Sequence, residues 1–364
     1  MAGLKKRIYL DWAATAPIDD AAIASAAQAA RVWANPSSIH HEGRAASAML
    51  EDTRHALLRA FGGTGTLIFT SGASEAIAIA LARARPGARL ISAVEHRAVS
   101  VATRTAGVVP VDGEGRIDLD SLAAMLARSE GAALVAVMQA NNETGVVQPL
   151  AQVAAIVRAA GGLLLVDAVQ AVGKLDWPDA DFVAVSAHKL GGPPGIGALI
   201  VRNPATLDGV GAGQELGYRA GTQNLPAAVG WVSAWEARAA DPGWTARVAT
   251  LRGRLEARLI AAGGTIAGYA AERLPNITCV AMPGVEAMRQ LMIFDLEGFA
   301  VSAGSACSSG RVSASHVLEA MRWGVMAGEA IRVSLGWGTI EADVDAFAGA
   351  WESAAGRLTR RRAA

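Results

Sequence analysis

The chain has 364 residues, 52% hydrophobic and 18% charged; it can bury one large core or two, and it is too apolar for a disordered chain. Lys plus Arg and Asp plus Glu number 33 each, so there is no global electrostatic footprint for nucleic acid. Two cysteines, Cys279 and Cys307, exclude a disulfide framework or a zinc site of the usual spacing and fit a reducing compartment. The opening MAGLKKRIYLDWAATAP has only Ile8-Tyr9-Leu10 as an apolar run, too short for a signal peptide. No uncharged apolar stretch approaches the ~20 residues of a membrane helix. The expectation is a soluble, cytoplasmic protein with no membrane or nucleic-acid partner.

In chain order, residues 44–60 carry apolar side chains at helical spacing, ended by Gly62-Gly63. Strand-like runs follow at 66–72, 88–96, 133–145, 162–170, 181–189 and 196–202. Several are apolar throughout, as strands buried on both faces are. Alanine-rich helical segments at 74–84, 119–128 and 149–160 separate the earlier runs. This alternation predicts an α/β domain with a mainly parallel sheet and right-handed crossovers. A boundary falls at ADPGWTA, 240–246. Beyond it, a helix over 245–261, a strand in 274–282, a helix with Met288 and Leu291, and a strand at 330–336 predict a smaller α+β domain. The basic end RLTRRRAA reads as a solvated tail.

Five predicted strands end in polar clusters: SGAS, EH, NNETG, DAVQ and SAHK. Ligands of open α/β sheets gather at such strand ends, so the clusters predict one shared pocket. In SAHKLGGPPGIGALIV, 186–201, Lys189 closes a buried strand before a glycine–proline loop. A lysine in a dry pocket has a lowered pKa and can form a Schiff base; alone, it would read as a turn lysine. Asp167, 22 residues earlier, ends another strand and can hold a protonated pyridine nitrogen, with Gln170 in reach of the ring's phenolate oxygen.

At these residues the chain resembles the class V aminotransferase group of pyridoxal-phosphate enzymes, and within it the NifS/IscS-type cysteine desulfurases. The resemblance runs nearly end to end. It is carried by YLDWAATAP, NPSSIHHEGR, FTSGASEA, EHRAV, NNETGVVQP, VDAVQAVGK, RAGTQN, LPNI, SAGSACSSG and IRVSLG, in the family's order. It implies the fold-type I transferase architecture, with a large cofactor domain over 15–245. Residues 1–14 and 246–364 would form a smaller domain carrying the catalytic cysteine.

The resemblance also assigns roles. Lys189 would carry pyridoxal 5'-phosphate and move the α-proton of L-cysteine; His96 would stack on the ring and serve in acid/base steps. Phosphate would sit at Ala73 and Ser74, where a helix opens, with Ser186 and His188 adding hydrogen bonds. Thr222 would add another across a homodimer interface. Arg332 would clamp the substrate carboxylate, with Asn142 beside it. Cys307 would accept the sulfur as a persulfide for an acceptor or iron–sulfur scaffold protein; its glycine- and serine-rich surroundings suit a thiol that must travel. Cys279, in an apolar strand, reads as a packing residue.

Ala78 and Trp337 depart from the family pattern, where asparagine and arginine are frequent, and Ser74 stands where threonine is common. The stretch from Cys307 to Ala330 resembles the longer loop of the IscS-like branch. Selenocysteine lyase and small-amino-acid aminotransferase chemistry share the scaffold, and a non-catalytic sulfur carrier is the remote alternative.

Overall fold

The computed structural model describes residues 7–85, 87–211, 213–304 and 314–363, the last six of these by backbone alone. The N-terminal strand is β1 (Ile8–Tyr9). The central strands are β2 (Thr66–Thr70), β3 (Ala88–Ser92), β4 (Gly107–Val109), β5 (Ala133–Met138), β6 (Leu163–Asp167), β7 (Phe182–Ser186) and β8 (Gly197–Val201). The later strands are β9 (Thr265–Ile266), β10 (Ile277–Ala281), β11 (Phe299–Ala300) and β12 (Ala330–Ser334).

Seven strands form one sheet in the order β2-β8-β7-β6-β5-β3-β4. It is parallel except at β8, which runs antiparallel to both β2 and β7. The unbroken apolar runs follow from burial of both faces. Along β5, Val135 and Val137 enter one core layer, with Leu50, Leu57 and Phe61, while Leu134 and Ala136 enter the other, with Ile77 and Leu81. Each such side chain larger than alanine contributes about 1.5–3 kcal/mol by leaving water. A polar residue at either parity would therefore be desolvated.

Two small sheets lie outside this layer. Strands β12, β10 and β9 are antiparallel in that order, and β1 pairs parallel with β11. Among the described residues no helix is long and apolar enough to cross a membrane.

Three sequence expectations are corrected. The central strands stop at Thr70, Ser92, Met138, Asp167 and Ser186, several residues short of the predicted runs. Their polar ends leave the ladder to form turns, as at Asn141, whose Oδ1 accepts from the amides of Glu143 and Thr144 at 2.9 Å each. The basic end is no free tail. The helix Glu341–Ala363 runs through it, as fits good helix formers whose charge suits a helix C-terminus. The stretch 307–330 is also not loop throughout: residues 305–313 lie outside the described residues, and His316–Ala320 is a helix capped by Ser315, whose side chain accepts from Leu318 N.

Candidate active site

A pocket of about 710 Å³ opens at the carboxyl ends of the central strands. Each of the five predicted polar clusters contributes to its wall, through Ser71–Ser74, His96, Asn142, Asp167 with Gln170, and Ser186 with Lys189. The seven-stranded sheet thus brings together residues up to 118 positions apart, counting from Ser71 to Lys189.

The helix Ala73–Arg83 starts at this pocket. Its preceding residue, Gly72, makes no side-chain cap bond, so the first-turn amides face the pocket as an anion site. The backbone here must be glycine-lined: a β-carbon on Gly197 would fall 2.7 Å from Gly72 Cα and 2.6 Å from Val185 O. The hydroxyls of Ser74 and Ser186, both at the pocket wall, have no partner among the described residues. Glu75, one residue on, also lines the pocket, its carboxylate held by Ser71 N at 2.6 Å and Arg219 Nε at 2.9 Å. These interactions hold its carboxyl below the usual range despite opposing burial.

Lys189 follows β7 in a single 3-10 turn, and its Nζ donates to Ala13 O and Ala14 O at 2.8 Å each. Burial, reinforced by Arg332, lowers its pKa to about 8, against the pull of Asp167 and Asp11. Asp167 ends β6 almost fully buried, and Val169 N donates to its Oδ1 at 3.0 Å. Burial raises its pKa while His96 and Lys189 oppose the rise. His96 caps the helix Arg97–Ala102, its Nδ1 accepting from Ala98 N at 3.2 Å, and burial lowers its pKa. His188 Nδ1 lies 3.2 Å from Thr15 Oγ1, and burial followed by Lys189 lowers its pKa to about 4, leaving a neutral imidazole at pH 7.

Arg332 is buried on β12, its Nη1 donating to Asn142 O at 2.9 Å and its Nη2 to Asp11 Oδ1 at 2.7 Å. Gln170 Nε2 donates to Ala13 O at 2.8 Å. Thr222 is exposed and does not line this pocket. Cys307 lies outside the described residues. Cys279, on β10 opposite Arg332, is a buried free thiol whose pKa burial pushes up to about 12, which suits packing and not chemistry.

The two unusual positions lie away from the pocket wall. Ala78 is exposed on its helix. Trp337 packs edge-on against Trp12 and Trp244, with Arg238 3.9 Å above its ring.

Sequence reasoning gave no role to Asp11, Ala13 and Ala14, which close the pocket from the N-terminal segment. Their carbonyls and carboxylate meet side chains 157 to 321 positions away. The motif YLDWAATAP marked the segment, yet no local spacing reveals such a contact.

The donor set fits pyridoxal phosphate. Unbonded amides and hydroxyls suit its phosphate, a buried carboxylate suits a pyridinium nitrogen, and a buried amine of lowered pKa suits its aldehyde.

The class-V aminotransferase family model matches residues 8–347. A cysteine desulfurase from Cereibacter sphaeroides is 39% identical, covering 93% of both chains. An IscS-like cysteine desulfurase from Mycobacterium tuberculosis is 36% identical, covering 98% of this chain and 97% of its own. The solved structure of a NifS-like protein from Rickettsia africae superposes with a TM-score of 0.86 at 31% identity, covering 95% of this chain and 99% of that one.

Proposed function

Because the chain belongs to the class-V aminotransferases and, within them, to the cysteine desulfurases, we propose that this pocket converts L-cysteine to L-alanine and that Cys307 takes the sulfur as a persulfide. The observation that carries this reading is Lys189, an amine of pKa about 8 in the same pocket as buried Asp167 and Arg332.

Pyridoxal phosphate, on which the family depends, supplies the electron sink that makes the substrate's α-proton acidic. Every other task falls to the chain. The first-turn amides at Ala73 and Ser74, with Ser186 and His188, hold the phosphate. Asp167 keeps the proton on the pyridine nitrogen, and Gln170 serves the phenolate oxygen. Arg332 binds the substrate carboxylate beside Asn142. Lys189 Nζ, near neutrality, accepts the α-proton, and His96 serves in acid/base steps. The Cys307 thiolate attacks the substrate sulfur. An S–S bond forms as the Cβ–S bond breaks, the bonding pair stays on carbon, and protonation there gives alanine.

The enzyme works in the cytoplasm as a homodimer and passes its sulfur to an acceptor or iron–sulfur scaffold protein for cluster or thio-cofactor assembly. Two cysteines suit a reducing compartment. Exposed Thr222, outside its own pocket, suits a residue offered to a second copy. Residues 15–245 form the large domain, and 1–14 with 246–364 the smaller one. Confinement of the seven-stranded sheet to residues 66–201 supports that division.

Reconstituted enzyme given L-cysteine and a reductant should release alanine and sulfide in equal amounts. A keto acid in place of alanine would indicate aminotransferase chemistry and overturn the reading.

A further inference from the structure

Glu143 is buried, and the chemistry above gives it no task. It belongs to the turn after β5, fixed by Asn141, whose Nδ2 donates to Val94 O at 3.0 Å while its Oδ1 accepts two amides of the turn. The Glu143 carboxylate meets both residues that frame the cysteine-bearing segment. Ser315 Oγ donates to Glu143 Oε2. On the other side, a β-carbon at Gly304 would lie 1.7 Å from that same oxygen, so any larger residue there would displace the carboxylate.

The same turn binds the proposed carboxylate clamp. Asn142, next in sequence, gives its carbonyl to Arg332 Nη1 at 2.9 Å. The backbone of Arg332 exchanges two hydrogen bonds with Ser302, two residues before Gly304: Ser302 N to Arg332 O at 3.1 Å and Arg332 N to Ser302 O at 2.6 Å. Beyond Ser315, His316 Nε2 lies 3.0 Å from Glu95 O, the residue before His96. A carbonyl only accepts, so that nitrogen carries the ring proton.

We propose that Glu143 is a positioning residue that pins both ends of the cysteine-bearing segment to the wall holding Arg332, so that the Cys307 thiol and the substrate sulfur meet. The inference rests on Cys307 as the sulfur acceptor. Removing the carboxylate leaves the Ser315 hydroxyl without its acceptor and opens a gap beside Gly304. Geometry at the transfer step then loosens, while the groups that hold the cofactor stay in place.

The test compares holoenzymes of wild type, Glu143→Ala and Glu143→Gln after rapid mixing with L-cysteine, following the cofactor's absorbance change and, separately, persulfide formation on Cys307. Glu143→Ala should keep the absorbance step near the wild-type rate and slow persulfide formation by roughly tenfold to a hundredfold. Glu143→Gln, which keeps an oxygen for Ser315, should recover most of the loss. Equal slowing of both steps, or no slowing of persulfide formation, would overturn the proposal. If Glu143→Ala does not hold the cofactor, Ser315→Ala decides by the same two rates, with the same outcomes. A Cys307→Ala enzyme that still releases sulfide would refute the sulfur-acceptor reading itself. An unimpaired Glu143→Ala beside an inactive Cys307→Ala would refute only the positioning role.

Discussion

Arg332 Nη2 lies 2.7 Å from Asp11 Oδ1, so the cation proposed for the substrate carboxylate already holds a carboxylate from the start of the chain. Its Nε is buried and without a partner among the described residues. The guanidinium is thus oriented before substrate arrives, with hydrogen-bonding capacity to spare. Replacing it with lysine keeps the charge and loses the planar fork. Arg332→Lys should raise KM for L-cysteine and lower kcat/KM by roughly tenfold to a hundredfold in steady-state assays. An unchanged KM would remove Arg332 from the carboxylate site.

Lys189 predicts a pH dependence for cofactor capture. Only the neutral amine attacks an aldehyde, and burial lowers the Lys189 pKa from 10.5 to about 8. The rate at which cofactor-free protein takes up pyridoxal phosphate should rise about tenfold per pH unit below that pKa and level off above it. A rise continuing to 10.5 would show an ordinary exposed lysine. The stability effect has a definite sign. Between about 8 and 10.5 the unfolded chain binds the extra proton, so this group makes the cofactor-free protein more stable as pH rises through that window. Below the window its cost is constant.

Glu215 predicts a loss of stability away from the pocket. Its side chain is fully buried, and it accepts from Arg54 Nη1 at 2.8 Å, Phe69 N at 2.7 Å and Gln223 Nε2 at 2.8 Å. Its own φ of 45° and that of Leu216 at 56° are left-handed, a conformation held by these bonds. Glu215→Ala removes the buried partner of the Arg54 guanidinium and leaves it only Glu51 and Leu67 O, which should cost about 1–3 kcal/mol in urea unfolding of the cofactor-free protein. A loss below about 0.5 kcal/mol would mean that Glu51 and Leu67 O suffice to hold Arg54.

The contrast between these residues shows what a sequence can carry. Lys189 and Asp167 were legible because each stands at the end of an apolar run, and the sheet needs only parallel pairing to align such ends; His96, four residues past β3, was legible only through the resemblance. Burial of β5 on both faces was legible from its unbroken apolar run. Asp11 and Glu143 were not. Their partners lie far along the chain, Arg332 at 321 positions and Ser315 at 172; Glu143 sits in a polar turn and Asp11 in an isolated bridge to Ser334, with no period to betray either. The three residues of β4 were missed because so short a segment has no pattern to read. The helical C-terminus was misread from its charge, although arginines extend a helix well.

The central claim is that Cys307 accepts sulfur from L-cysteine at this pocket. The most direct measurement is peptide mass spectrometry after a single turnover without reductant, using L-cysteine labelled with heavy sulfur. The account predicts one labelled sulfur atom added to the Cys307 peptide, none to the Cys279 peptide, and an equal amount of alanine released. Alanine released with no label on Cys307 would contradict it.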